Sequence, residues 1–394
     1  MKNTFPKYFK PISSIDEVPI NVDSWYEATD AFDEKKYHLS IRKLLDYIHP
    51  NLIVEETGGD NFKFSHPQGS SIIYFEIKDE WVYVQAPFLK INENTNKVAL
   101  LRAVAELNFT PLMLSQIELK ENELWFFCKT KVSLCQPYKL YNIIREIAIN
   151  SDENDDDFIE KYDAEYLHQP QKQLLTAEEH TIVWQQIQDI LLEYTQYQTY
   201  FQEKRWAYSE FDMVLNVLFQ IGNMSYIHGV LKNDIGEYIS NMLNTNIDFN
   251  FRLDKGKTFV KQLISRSETD FFKDIYHANT LISLKWRSNS KILQEIAQAY
   301  EEQVIKHKNN DESFNLSFYL QYMFLRILYY YMLDSDYKKL LENTLSNAAG
   351  KDYNESARIL SETFYHLLNE TLPNKSEDTT SIIKKTGFFS KLFS

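Results

Sequence analysis

Strand-like runs are confined to the first part of this chain, and that confinement divides it. Between about 52 and 128 lie short strand-like runs, such as Ile72–Ile77, Trp81–Ala86 and Leu124–Cys128, with a helical stretch at 96–107 among them. A period of two is the mark of strands with one face covered. From Leu174 to about Leu372 the period is helical, with no convincing strand. The expected fold class is therefore an α+β N-terminal domain, an antiparallel sheet with helices on one face, followed by a separate all-α helical domain.

In the first half the expected order is helix, antiparallel strands, helix, two strands, helix. An amphipathic helix over 34–48 carries Tyr37, Ile41, Leu44, Leu45 and Ile48, and Pro50 ends it. Strands over 52–56 and 62–65 precede a hairpin of 72–77 and 81–86 turning at Lys78-Asp79-Glu80. A helix over 96–107 is apolar on most of its surface and is expected to be covered on more than one side. A second hairpin, 117–119 and 124–128, turns at Glu121-Asn122, and Pro137 opens a helix reaching about Ile149.

Domain boundaries follow. Residues 1–20 are an extended arm, punctuated by Pro6 and Pro11 and expected on the surface. Residues 21–150 form the α+β domain, 151–173 an acidic linker, 174–372 the helical domain and 373–394 a tail. Ser151–Glu165 holds eight acids against Lys161, so it reads as a solvated connection; an electrostatic latch or a cation site is the sharper alternative. It lacks the ligand spacing of a calcium loop. Helices are expected near 176–203, with Thr176 and Glu179 as a capping box, and then near 209–222, 226–244, 256–265, 269–284, 289–308, 313–334, 337–348 and 354–370.

Composition narrows the function. A net charge of −14 disfavours nucleic acid as a partner. Cys128 and Cys135 read as reduced thiols, and no signal-peptide-like run opens the chain, which points to the cytoplasm. Leu316–Leu333 is near bilayer-spanning length but contains Gln321 and Arg326, so a buried helix is expected and no transmembrane segment. Gly256-Lys257-Thr258 lacks the earlier glycine of a phosphate-binding loop, since position 251 is Phe, and reads as a loop and helix start. The nine histidines show no metal-ligand spacing. No catalytic, cofactor-binding or metal-binding residue is nominated, and no cofactor is expected.

The helix KKYHLSIRKLLDYI, the strand pair SIIYFEIKDEWVYVQAPF, the helix VALLRAVAELNF ending in Leu107-Asn108, and the unit IELKENELWFFCKT with its following helix together carry a resemblance. In element order this region resembles the type III secretion chaperone-like family, including its YbjN-type members. The resemblance implies a compact domain, often dimeric, that holds other proteins through exposed apolar grooves and has no cofactor. It implies a cytoplasmic, bacterial, non-enzymatic adaptor or chaperone-like protein, associated with a secretion system. A long helical domain is a departure from dedicated secretion chaperones.

Two partner-binding surfaces are expected. Trp81, Tyr83, Trp125 and Phe127 alternate with Val82, Val84, Phe126 and Cys128, so both sheet faces are apolar and one needs a partner, a second subunit or the helical domain to cover it. Phe388, Phe389, Leu392 and Phe393 would share one helical face of the tail, fit for docking on protein or for weak membrane-surface contact. The rival readings are a membrane-peripheral scaffold held by that tail and an enzyme with its site in the helical domain.

Overall fold

The computed structural model describes residues 4–12, 21, 23–50, 52, 54–169 and 172–370. The N-terminal region opens with a helix pair, α1 (Asp23–Asp33) and α2 (Tyr37–Ile48). Four strands follow: β1 (Glu55–Gly58), β2 (Asn61–Gln68), β3 (Ser71–Lys78) and β4 (Trp81–Lys90). Then come α3 (Lys97–Phe109), the hairpin β5 (Gln116–Lys120) and β6 (Glu123–Lys131), and α4 (Pro137–Tyr162). The sheet order is β1-β2-β3-β4-β6-β5, antiparallel throughout, with the two-residue β7 (Glu165–Tyr166) pairing the end of β4.

Register sets which residues meet. Phe64 lies opposite Phe75 and Ile77 opposite Val82, so their side chains enter one core. Phe62, Phe64 and Phe75 stack at 5.8 and 5.0 Å between centroids. Ile41, Leu44, Leu45 and Ile48 of α2 join them, as do Leu140, Ile143, Ile144 and Ile147 of α4. All are shielded from water, and burial of each such side chain contributes about 1.5–3 kcal/mol.

The outer strand β5 does not offer a bare edge. The Asn108 side chain donates to the Ile117 carbonyl at 3.1 Å and accepts from the Ile117 N–H at 2.6 Å. Those backbone groups point away from β6, and the amide takes the place of a neighbouring strand.

The second half is helical: α5 (Ala177–Lys204), α6 (Ala207–Gly222), α7 (Gly229–Leu243), α8 (Phe249–Ser265), the single-turn α9 (Glu268–Phe271), then α10 (Ser290–Asn309), α11 (Ser313–Tyr330), α12 (Ser335–Ala348) and α13 (Tyr353–Leu368). The two-residue strands β8 (Trp286–Arg287) and β9 (Tyr331–Met332) pair in parallel. The Thr176–Glu179 capping box forms as expected. At the centre, α6 is buried without interruption from Met213 to Ile221. The apolar helix α11 is packed against α6 and α13, and no helix among the described residues is long and apolar enough to cross a membrane.

Four expectations are corrected. The acid-rich stretch is not a solvated linker: α4 continues through it to Tyr162 and buries Ser151, Asp152, Asp155 and Phe158. α4 packs under the sheet and also against α7, so one helix serves both regions. The helix expected over 269–284 stops at Phe271, because the residues beyond it take partners outside any helix. Tyr276 donates its N–H to the Tyr226 carbonyl and His277 pairs with Gln173. Gly256 is not in a loop but inside α8, where a Cβ would lie 2.6 Å from Met242 Sδ and 2.9 Å from Val214 Cγ1; glycine lets the helices approach.

The fourth concerns the arm, which is embedded and not superficial. Phe5 is 1% exposed and Tyr8 8%, both within the helical core. The Phe5 N–H donates to Lys351 and its carbonyl accepts from Gly350.

Candidate protein-binding surfaces and a buried polar seam

The structure places Trp81, Tyr83, Trp125 and Phe127 on the sheet face away from the helices. Their alternating neighbours Val82, Val84 and Phe126 are fully buried, whereas these four are half-buried and outside the core. Tyr83 stands opposite Lys129, Trp81 opposite Lys131 and Glu118 opposite Trp125. Lysines lie over the rings: Lys129 at 4.4 Å from Trp81 and 5.3 Å from Tyr83, and Lys120 at 4.6 Å from Phe127. The Trp125 indole donates to Glu123 at 3.1 Å. Among the described residues, the hydrogen-bond and cation contacts of these four side chains all come from the sheet itself.

The most exposed apolar row lies elsewhere. Helix α3, expected to be covered on more than one side, buries only Leu100 and Val104. Val98 (64% exposed), Leu101 (38%) and Phe109 (88%) follow one another at helical spacing with Ala105 between them, and Met113 (88%) continues the row past the helix end. Sequence periodicity marked α3 as apolar all round. It did not show that a single layer of sheet and α4 covers one side only. Phe388, Phe389, Leu392 and Phe393 lie outside the described residues.

Between the two regions runs a buried polar seam. Gly69 and Ser70, in the turn after β2, meet the second half of α4. The Ser70 N–H donates to Asp152 Oδ1 at 2.7 Å, and its hydroxyl donates to Asp155 Oδ2 at 2.6 Å. Gly69 has φ +57°, and a Cβ there would overlap Asp152 Oδ1 at 1.8 Å, so only glycine fits. Asp156 accepts from the Tyr166 hydroxyl and pairs with Lys172 at 3.2 Å. Asp274 accepts from Arg266 at 2.8 Å, and its carboxylate also takes the Leu231 N–H.

Burial pushes the carboxyls of Asp152 and Asp274 upward, and that of Asp155 well above the usual range, where the charges of Asp156 and Asp152 add to it. Glu153 is pushed up to about 7, burial being the main cause. His228, stacked on Tyr276 at 4.5 Å, is held well below its ordinary value by burial and by Lys232 and Lys172. The acidic stretch, noticed in the sequence only as a charge run, thus places hydrogen-bonded carboxyls in the seam. Among the described residues, no group of three or more His, Cys, Asp and Glu is arranged to hold a metal ion.

Cys128 and Cys135 are free thiols, and burial pushes Cys135 up to about 12. In the helical region an open groove of about 890 Å³ is lined by Trp206, Phe314 and Tyr353, with Arg358 at its rim held by Glu355 and Glu362.

No protein-family model matches the chain, and no curated protein matches it.

Proposed function

We propose that the protein is a non-enzymatic adaptor that holds another protein in the cytoplasm. The observation that carries this reading is the exposed row Val98, Leu101, Ala105, Phe109 and Met113. Val98, Leu101, Ala105 and Phe109 form an apolar stripe on an ordered helix, at the spacing by which a helix face docks with a partner groove or a second helix, and Met113 is exposed in the turn beyond it. The resemblance to type III secretion chaperone-like proteins supports the same class of function and, with it, a role beside a bacterial secretion system. The aromatic and lysine face of the sheet is a weaker contact, since its rings already carry cation partners.

The test is crosslinking capture with wild type, Leu101→Ser/Phe109→Ser and Trp81→Ser/Trp125→Ser. The α3 substitutions fall on exposed side chains and should leave the melting curve in place. They should remove most captured proteins, while the sheet variant keeps them. A folded α3 variant that retains every captured protein overturns the reading. Should the row instead join two copies of this chain, sedimentation will show a dimer that the same substitutions convert to monomer.

A further inference from the structure

The helical region holds the N-terminal arm in a groove that reads it mainly through its backbone. The Phe5 N–H donates to the Lys351 carbonyl at 2.7 Å, and the Phe5 carbonyl accepts from the Gly350 N–H at 3.0 Å. The Tyr197 hydroxyl donates to the Thr4 carbonyl. The Lys7 N–H donates to Glu193 Oε1 at 3.2 Å, the Phe9 N–H to Gln220 Oε1 at 2.9 Å, and the Lys10 carbonyl accepts from Gln186 at 2.8 Å. Any extended segment presents those groups. Side-chain selection comes from pockets: Phe5 lies edge-on to Phe318 at 5.9 Å, Tyr8 is buried, and Phe9 packs against the same core. Lys7 points to solvent, and the groove wall is acidic, with Glu193 and Glu342.

The arm reads Phe5-Pro6-Lys7-Tyr8-Phe9, and the C-terminus reads Phe389-Ser390-Lys391-Leu392-Phe393. Both are aromatic, any residue, lysine, large apolar, aromatic. We infer that residues 389–393 are a second ligand for this groove and exchange with the arm.

Three observations support the exchange. The Tyr8 hydroxyl is buried with no hydrogen-bond partner among the described residues, so the arm is an imperfect occupant, and Leu392 in its place would leave no polar group stranded. The tail carries Lys384, Lys385 and Lys391 and no acid beyond Asp378, which suits the acidic wall. The stretch from Glu370 to Phe389 reaches roughly 60 Å when extended, longer than the diameter of a chain this size, so the tail of the same molecule can arrive. Tethering also gives it a higher local concentration than a second copy offers. Because the arm leads toward α1, its release would alter how the N-terminal region is anchored.

A photo-crosslinking residue at position 392 of the full chain tests this. The expected adduct maps to the groove around Leu192, Gln196 and Gly350. It should fall at least fivefold with Phe389→Ser/Phe393→Ser or with excess peptide of residues 3–12, and rise with Phe5→Ala. If Phe5→Ala proves unfolded by circular dichroism, the peptide competition on the otherwise unaltered chain decides. An adduct elsewhere, no groove adduct, or a yield that neither change lowers overturns the inference. Mixing isotopically heavy and light chains separates the donors: adducts joining heavy to light peptides would show a second copy and overturn the same-chain assignment.

Discussion

Glu153 shows how a single position can run against a simple reading of charge. On sequence it is one of eight acids expected to face water. In the fold its backbone carbonyl accepts from Asn233, and burial raises its carboxyl from 4.5 to about 7. The folded protein therefore binds this proton more tightly than the unfolded chain does. The stability it contributes is fully present below pH 4.5 and is lost as pH rises to about 7. Glu153→Gln keeps the neutral shape. It should nearly match wild type at pH 4.5 and exceed it by about 3 kcal/mol at pH 8, with the gap opening between. Urea melts at pH 4.5, 6 and 8 measure it; a gap independent of pH would mean that Glu153 stays charged in the fold.

At the scale of elements, the N-terminal arm repeats the same lesson. Pro6 and Pro11 correctly announce an extended segment, because proline removes a donor and fixes the backbone. They cannot announce that Phe5 is 1% exposed, since nothing local tells a surface aromatic from one packed against Phe318, 313 positions away. Phe5→Ala should cost about 3–5 kcal/mol in a urea melt, against almost nothing for Lys7→Ala. Equal effects would show that the arm rests on the surface after all. The contrast with β3 and β4 is instructive. There Phe75, Ile77, Val82 and Val84 lie on one face as the alternation requires, because a period of two follows from backbone geometry alone. Helix α3 was legible as a helix for the same reason. The exposure of its Phe109, and of Met113 beyond its end, was not, because exposure depends on how many layers surround the element.

For the whole molecule, the boundary between an α+β region and an all-helical one was legible, and the manner of their joining was not. The sequence marks residues 151–173 as a break because their charges outnumber their apolar groups. Burial of Asp152 and Asp155 rests on Ser70, which is 82 and 85 positions away. A segment between α9 and α10 crosses back as well. Leu281 and Ile282 are 2% and 4% exposed within the N-terminal core, and their N–H groups both donate to Gln68 Oε1 at 3.0 Å. Arg287 donates to the Tyr47 carbonyl at 2.6 Å and lies 3.3 Å from the Tyr47 ring. Leu281→Ala/Ile282→Ala should therefore cost several kcal/mol, on the order of 2–5 per side chain, and should lower hydrogen-exchange protection in β2 and β3 as well as in the helices. Protection lost only in the helical region would mean that the two regions melt independently.

The Gln68 contacts span 213 and 214 positions. On a ribosome the sheet emerges first, yet its core lacks two side chains and its Gln68 carbonyl has no partner until Ile282 has cleared the exit tunnel. At roughly 5–20 residues per second, that leaves the nascent sheet waiting on the order of ten to forty seconds. During that interval its apolar face is open to whatever else the cell contains, so the yield of folded protein should depend on translation speed and on chaperones that shelter growing chains.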